Sequence, residues 1–484
     1  MKPKREIACI AACLLFLAGC EEAGTSGTSP GDSTSSSTSG SQIYDEYGYA
    51  EETPVDLDEF SFTIGAAVLH DECSENATLN EQLWHQRIDE VERDYNCTIS
   101  VKFLYGDVST IMPLILSGEK FADVIHMDTS MWIPNATAGY LTPWEEVEGI
   151  DLNDARWISS FTELTYLNGK HWGVQYMRPP EAAAVLVYNK DLLEANGITE
   201  DPAELCLENE WTFAKLKEMA AACTKDTNGD GQMDTYGLFS MDPVKTAYSL
   251  ITANDGKLLT ENEDGSISET FSDAKTVAAL NYYYDLVNVD GSVMILDYMK
   301  SADTWNDRPT DADLCNQFRR GKSAFFACDT WAINQYLKGK MNANYHIVPY
   351  PTGLDAEKGT YKCLSNSTCV FTIPSTNKDL RELGIIMNAL AYPCEGYEGD
   401  EWWKEEIQKE YFLDGDTTSL EMYEKLLDNT CLDLGVGVSA FTNGFERICI
   451  LEPIFFGNGT VSSSIQSIMG QYTTSIQATY EWQN

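Results

Sequence analysis

The sequence predicts an α/β protein of two lobes, each built around an open, mostly parallel sheet. Apolar strand-like runs and amphipathic helical patterns alternate from Phe60 onward, as expected of βαβ units. Pro179 and Pro180 interrupt this alternation, because neither a helix interior nor a central strand tolerates two prolines. It resumes with the apolar, β-rich residues 185–188. The chain therefore leaves one compact unit near residue 178 and begins a second.

The N-terminus carries an export signal. A basic start precedes an apolar run over residues 7–18, whose helix would span about 18 Å, too short for a hydrocarbon core of about 30 Å. The Leu-Ala-Gly-Cys sequence that ends at Cys20 resembles a bacterial lipobox. This resemblance implies a signal peptide over residues 1–19 and acyl chains such as palmitate on Cys20, which would anchor the protein to the cell membrane of a bacterium.

Residues 20–59 are predicted to be a disordered tether. Residues 21–42 consist mainly of Ser, Thr and Gly and lack the apolar residues that a core requires. An acidic, Tyr-containing stretch continues the spacer to residue 59.

The charge balance excludes one class of partner. The chain has 32 basic and 76 acidic residues, which gives a formal net charge of −44. Such a surface repels phosphate backbones, so no nucleic-acid partner is expected.

The first lobe is predicted from elements at βαβ spacing. Its strands are residues 60–67, 98–104 and 122–126. A helix between the first two is predicted from four residues at helical spacing, namely Trp84, Ile88, Val91 and Tyr95. Asp107 can cap the next helix, and Asn168-Gly169-Lys170 predicts a hairpin turn.

The second lobe begins with the strand at 185–188. Asn189 can cap the helix after it, Asn196-Gly197 is a plausible stop, and Thr212 can cap a further helix. A strand over 323–326 leads into Asp329 and Trp331. Residues 346–351 are predicted to form a strand that returns toward the first lobe, and helices are predicted at 377–390 and 462–482.

The Tyr-Asn-Lys-Asp strand end at 188–191, the helix that ends in Gly197 and the Trp-Thr helix start at 211–212 resemble the extracellular solute-binding proteins of ABC importers. The match is closest to the branch that binds sugars and oligosaccharides. The resemblance implies a two-lobed, periplasmic-binding-protein-like fold with a ligand cleft between the lobes. Lobe 1 would comprise 60–178 plus 346–397, and lobe 2 would comprise 179–345 plus 398–484.

The same resemblance implies a function. A monomer outside the cytoplasm would close on a small ligand about a hinge near 178–181 and present it to the permease subunits of an ABC transporter. Gly321-Lys322-Ser323 is a poor match to the end of a phosphate-binding P-loop. The first glycine of that motif would fall at position 316, which is Asn, and the segment leads into a strand instead of a helix. The energy for transport would therefore come from another protein.

Candidate ligand contacts follow from the rule that open α/β sheets bind ligands at the carboxyl ends of their strands. Sugars stack on aromatic rings and bind polar side chains through their hydroxyls. In the first lobe the candidates are His70, Asp71, Met127, Asp128 and Trp132, and in the second they are Asn254, Asp255, Asp329 and Trp331. Tyr176 and Arg178 at the crossover are further candidates. The alternative for Trp132 and Trp331 is packing in the core, which is expected for Trp144, Trp172 and Trp211.

A calcium loop is a second candidate site. Oxygen-bearing residues at loop positions 1, 3, 5 and 9, with Gly231 at position 6, match a helix-loop-helix calcium loop. The predicted ligands are Asp226, Asn228, Asp230, Gln232 (through its carbonyl) and Asp234. Position 12 is Gly237 where a bidentate Glu is expected, so binding should be weak and structural in role. The alternative is an Asx-rich turn without an ion.

No enzyme signature is evident in the sequence. The five histidines include no pair at zinc-helix spacing, and no GxSxG motif occurs. The chain is therefore expected not to be an enzyme. Two rival functions remain open, an exported carbohydrate-active enzyme and a surface lipoprotein that binds something other than a sugar.

Overall fold

The computed structural model describes residues 44–50, 52–74, 77–128, 131–178, 180, 184–365, 369–437 and 441–482. The predicted signal peptide, Cys20 and the first part of the tether lie outside these residues.

The described residues form fifteen strands and fifteen α-helices, which are interspersed along the chain. The strands are β1 Phe60–Ala66, β2 Cys97–Phe103, β3 Val124–Asp128, β4 Leu141–Thr142, β5 Tyr166–Leu167, β6 Lys170–His171, β7 Ala184–Asn189, β8 Tyr236–Ser240, β9 Leu259–Glu261, β10 Ile267–Glu269, β11 Ser323–Asp329, β12 Tyr345–Val348, β13 Cys363–Leu364, β14 Cys369–Pro374 and β15 Thr430–Cys431. The helices are α1 Leu79–Tyr95, α2 Val108–Ser117, α3 Trp132–Thr137, α4 Ser159–Glu163, α5 Lys190–Ala195, α6 Pro202–Leu207, α7 Phe213–Cys223, α8 Pro243–Ala253, α9 Ala274–Tyr284, α10 Asp311–Arg319, α11 Thr330–Ala332, α12 Leu380–Ala391, α13 Glu401–Tyr411, α14 Thr417–Asp428 and α15 Val461–Thr479. The described residues also form 3₁₀ turns and π-helical segments, and the longest of these is the π-helical segment Phe441–Phe455.

Two sheets define the two lobes. The first has the order β2-β1-β3-β14-β4, with β1 parallel to β2 and β3 and with β14 antiparallel to β3. The second has the order β12-β7-β11-β8, in which β11 is parallel to β8 and antiparallel to β7. Separate apolar clusters cover the two faces of the first sheet, and a larger cluster surrounds the second. The mixed α/β, two-lobed fold predicted from the sequence is confirmed.

Several local predictions are confirmed at the level of single residues. The four residues predicted to form the buried face of the first helix are the four buried residues of α1. The side chains of Asp107, Asn189 and Thr212 cap α2, α5 and α7. Asn168 and Gly169, both with positive φ, form the turn between β5 and β6.

Two predicted boundaries need correction. The strand expected to return to lobe 1 from residue 346 is β12, which pairs with β7 in the second sheet, so the chain re-enters the first sheet only with β14. The predicted tether ends earlier than residue 59, because the described residues 44–50 and 52–59 belong to the compact unit. Within this stretch Tyr49, Ala50 and Leu57 are buried, and the Ala50 amide donates to Asp154 Oδ2 over 2.9 Å.

The lobes also contact each other away from the sheets. The rings of Trp172 and Trp482 stack with centroids 5.3 Å apart, and the Asn168 amide donates to Glu261 Oε1 over 3.0 Å. Trp172 precedes the crossover near residue 178, whereas Glu261 ends β9 and Trp482 follows α15, whose buried apolar residues belong to the cluster around the second sheet. Among the described residues, no helix has the length and apolarity needed to cross a bilayer.

Candidate ligand-binding cleft

Strand ends of the second sheet line one cavity, and a second cavity lies between the lobes. In lobe 2, the segments that follow β8, β11 and β12 line a cavity of about 190 Å³, which we call the wall pocket. Its lining residues are Ala184, Met241, Asp242, Lys245, Thr246, Arg308, Asp311, Ala327, Cys328, Asp329, Trp331 and Tyr350. This location is where open α/β sheets bind ligands.

A lysine–aspartate pair stands at the centre of the wall pocket. Lys245 Nζ lies 2.6 Å from Asp329 Oδ2, and the Trp331 indole N–H donates to the same oxygen over 3.3 Å. Burial of the ammonium group opposes its charge, but the carboxylates of Asp329, Asp242 and Asp128 outweigh this effect and raise the pKa of Lys245. Because Asp128 ends β3 in lobe 1, its effect on Lys245 joins the two sides of the cleft.

The local sequence positions these groups. The side chain of Asp242 caps α8 by accepting from the amides of Val244 and Lys245, which places Lys245 in the first turn of the helix. Asp329 is the last residue of the fully buried strand β11. At the rim, Arg308 Nη2 lies 2.7 Å from Asp311 Oδ1.

A further carboxyl group lies close to the wall pocket. The Tyr248 hydroxyl lies 3.3 Å from Glu446 Oε1. Burial, with the nearby charge of Asp242, raises the pKa of Glu446 to about 8. Burial is the larger of these two causes, and it favours the neutral form of the Glu446 carboxyl group.

A second cavity, of about 240 Å³, is shared between the lobes. It is lined by Val68, Leu69, Asn80, His126, Gln175, Met177, Pro180, Cys369, Ile407, Tyr411 and Tyr423. Burial lowers the pKa of His126 to about 3, so this imidazole is neutral. With two tyrosines of lobe 2 facing apolar residues of lobe 1, this cavity offers aromatic and aliphatic surface.

Two other cavities flank the crossovers instead of the strand ends. A crevice of about 840 Å³ lies between Trp157 and Trp403, and a smaller cavity of about 80 Å³ lies beside Trp84 and Trp402. Arg178 lines both.

Two of the predicted contacts, Asp329 and Trp331, line the wall pocket, and the charge of a third, Asp128, acts on Lys245 from lobe 1. Others are corrected. Met127 lies within β3 and Trp132 begins α3, and both side chains are buried in the lobe 1 core. His70 is exposed, and Asp71 Oδ1 accepts from the Val101 amide over 2.8 Å instead of facing lobe 2.

The remaining residues that were predicted to contact the ligand interact with other parts of the chain. Tyr176 stacks on Phe371 with centroids 5.0 Å apart, and Arg178 Nη2 donates to the Ala155 carbonyl over 3.1 Å. The fully buried Asn254 side chain donates to the Lys275 carbonyl and to Asp355. Asp255 forms ion pairs with Lys275 and Lys362. These contacts satisfy the polar groups that the sequence offered to a ligand.

The sequence analysis missed several residues that line or adjoin the wall pocket, namely Asp242, Lys245, Arg308, Asp311, Glu446 and Tyr350. The first two carried a usable signal, since Asp242-Pro243 after the apolar residues 236–240 is a strand end followed by a helix start.

In the predicted calcium loop, the carboxylates accept hydrogen bonds from the loop itself. Asp226 Oδ2 accepts from the Gly231 amide over 2.8 Å, and Asp234 Oδ2 accepts from the Thr227 amide over 2.8 Å. In the described part of the chain, no group of three or more His, Cys, Asp or Glu side chains is placed to hold a metal ion. Calcium binding therefore remains a prediction and would require these carboxylates to share their oxygens with the ion.

Comparison with known proteins gives a family and a fold. The family model for bacterial extracellular solute-binding proteins matches residues 86–384, more than half of the chain. No curated protein matches the chain.

Several solved structures are similar along most of the chain. The GacH receptor of Streptomyces glaucescens, described unliganded and with acarbose, is 16% identical with a TM-score of 0.59, covering 88% of this chain and 100% of that one. A cyclo/maltodextrin-binding protein complexed with maltotetraose is 15% identical with a TM-score of 0.59, covering 86% and 97%. UgpB from M. tuberculosis, in complex with glycerophosphocholine, is 15% identical with a TM-score of 0.56, covering 87% and 98%. At these low sequence identities the similarity shows that the folds are alike.

Proposed function

Because this chain belongs to the bacterial extracellular solute-binding proteins, we propose that it captures a carbohydrate between its lobes and delivers it to the permease subunits of an ABC transporter. Structural neighbours in complex with acarbose and with maltotetraose support this ligand class. In this proposal the protein acts as a monomer outside the cytoplasm and does no chemistry on its ligand.

One observation carries the proposal. The Trp331 ring lines the wall pocket next to the Lys245–Asp329 pair, at the strand ends of lobe 2. An aromatic face beside charged hydrogen-bonding groups suits a sugar, which has apolar C–H faces and hydroxyls at the ring edge. Asp128 supplies a polar group from lobe 1.

Lobe closure then follows from differential affinity. A ligand that contacts Asp128 and the wall pocket at once binds the closed form more tightly than the open form, and so shifts the population toward closure. The permease would recognise the closed form.

Calorimetry against mono- and oligosaccharides, with X-ray scattering on the same samples, tests the proposal. We expect saturable one-to-one binding accompanied by a smaller radius of gyration. A scattering profile that stays superimposable on the ligand-free profile at saturation would contradict closure.

Membrane attachment is proposed to depend on Cys20, on the lipobox resemblance of the sequence. The full-length chain is expected in the membrane fraction of a bacterial host, and Cys20→Ala is expected to release it or to leave it unprocessed. Membrane association of the alanine variant equal to that of wild type would refute this assignment.

A non-sugar ligand is the second candidate, supported by the neighbour in complex with glycerophosphocholine. A thermal-shift panel that includes glycerophosphodiesters, peptides and polyamines distinguishes it from the first. Release of shortened products from oligosaccharides would favour a carbohydrate-active enzyme instead.

We also propose that calcium stabilises the loop over residues 226–234. Its support is the spacing of oxygen ligands with Gly231 at φ +89° in the sharp bend.

A further inference from the structure

The charges of the wall pocket are unbalanced. Its lining includes two cations, Lys245 and Arg308, and each is already paired with a carboxylate, Asp329 and Asp311. Asp242 also lines the pocket, and Asp128 acts on Lys245 from lobe 1. Carboxylates therefore outnumber cations by four to two in the residues around Lys245.

The carboxylates also have unused hydrogen-bonding capacity. Asp329 is only 9% exposed, and its Oδ1 has no hydrogen-bond partner in the described part of the chain. Asp242 uses Oδ1 to cap α8, and no hydrogen bond to its Oδ2 is found among the described residues. A buried carboxylate oxygen without a donor is costly, so a donor supplied by a ligand would be favourable.

On this basis we infer that the ligand is a cationic saccharide, one whose amine is protonated, with the ammonium group held between Asp242 and Asp329 while the ring lies on Trp331. This inference rests on the proposed function and specifies its substrate class. A neutral hydroxyl could occupy the same position, but only a cation offsets the surplus charge.

Two further features fit a cation. The Trp331 face can also attract an ammonium group or the polarised C–H bonds beside it. The net charge of −44 draws cations toward the protein over a longer range.

Matched sugar pairs test the inference, because each pair differs only at the amine. We would measure the affinity of the protein for both members of each pair at a pH where the amine is protonated. The pairs are glucose and glucosamine, galactose and galactosamine, and N-acetylated and deacetylated chitooligosaccharides. In at least one pair the amine form should bind about tenfold or more tightly. Its affinity should also fall with added salt, whereas the affinity of the neutral form should not.

A charge-removing variant links the preference to the pocket. Asp242→Asn keeps a residue that caps helices well but removes the charge, so the fold is maintained. It should weaken binding of the amine form about tenfold more than it weakens binding of the neutral form. Glu263→Gln is the matched control, since it removes one exposed carboxylate from the β9–β10 hairpin and should change neither affinity.

The outcomes separate the two proposals. Equal binding, or preference for the neutral member in every pair that binds, overturns the inference and leaves carbohydrate capture intact. An amine preference that survives in Asp242→Asn overturns the placement of the ammonium group. Failure of all these saccharides and of neutral oligosaccharides to bind the folded protein contradicts the proposed function as well.

Discussion

Replacing Trp331 by alanine tests the central contact of the proposed site. The ring is half-buried, packs edge-on against Tyr336 at 6.0 Å and leaves part of its surface to the wall pocket. A sugar that covers about 60–80 Å² of this ring would lose about 1.5–2 kcal/mol at ~25 cal/mol per Å². Trp331→Ala should therefore raise the dissociation constant about 10- to 30-fold.

Calorimetry measures this change, and a melting curve shows whether the variant is folded. Trp331→Phe is the matched control, because it keeps an aromatic face while it removes the hydrogen bond to Asp329 Oδ2. We expect it to retain most of the affinity. A folded alanine variant that binds within twofold of wild type would refute the assignment of Trp331 to the ligand.

Three other predictions concern groups whose charge the structure explains. Lys245→Met leaves the buried Asp329 without its cation and should lower the free energy of unfolding by about 1–3 kcal/mol. The double variant that also carries Asp329→Asn should recover part of this loss. If the losses of the two single variants simply add in denaturant melts, the two residues are not coupled. If calcium binds the loop with a dissociation constant near 1 mM, a tenfold higher calcium concentration should stabilise the folded chain by about 1.4 kcal/mol. An identical melting temperature with and without a chelator would exclude the loop as a calcium site. The same calcium-dependent shift of the melting temperature in Asp226→Asn would also exclude it. The pKa of Glu446 is about 8 in the folded chain against an ordinary 4.5, so the folded state binds more protons between these values and stability should fall as pH rises through this window. Glu446→Gln should flatten that fall, and an unchanged pH profile of melting temperature would show that the group titrates normally.

Local patterns predicted the elements well because their determinants are close in sequence. The buried face of α1 and the caps at Asp107, Asn189 and Thr212 each depend on residues within one or two helical turns. The position of β12 could not be predicted in this way. An apolar run shows that a strand is buried but not which sheet it joins, and β12 pairs with β7, about 160 residues earlier.

The site was predicted only in part for a related reason. Trp132 and Trp331 both follow a buried strand, and the sequence gives no means of separating them. The structure does so, because Trp132 starts a helix that packs into the lobe 1 core whereas Trp331 remains beside the pocket. Lys245 becomes a site residue only because β8 and β11 are neighbours, so that α8 begins next to Asp329.

Contacts between the lobes outside the cleft change how ligand affinity should be interpreted. Trp172 stacks on Trp482, and the Asn168 amide bonds to Glu261, at positions that line neither cavity of the cleft. These contacts stabilise the described arrangement of the lobes without a ligand, so the ligand has to supply only the remaining free energy of closure. The measured affinity therefore combines the direct contacts of the pocket with the equilibrium between open and closed forms. A loss of affinity identifies a pocket residue only where that equilibrium is unchanged, and for this reason calorimetry on the pocket variants has to be paired with scattering.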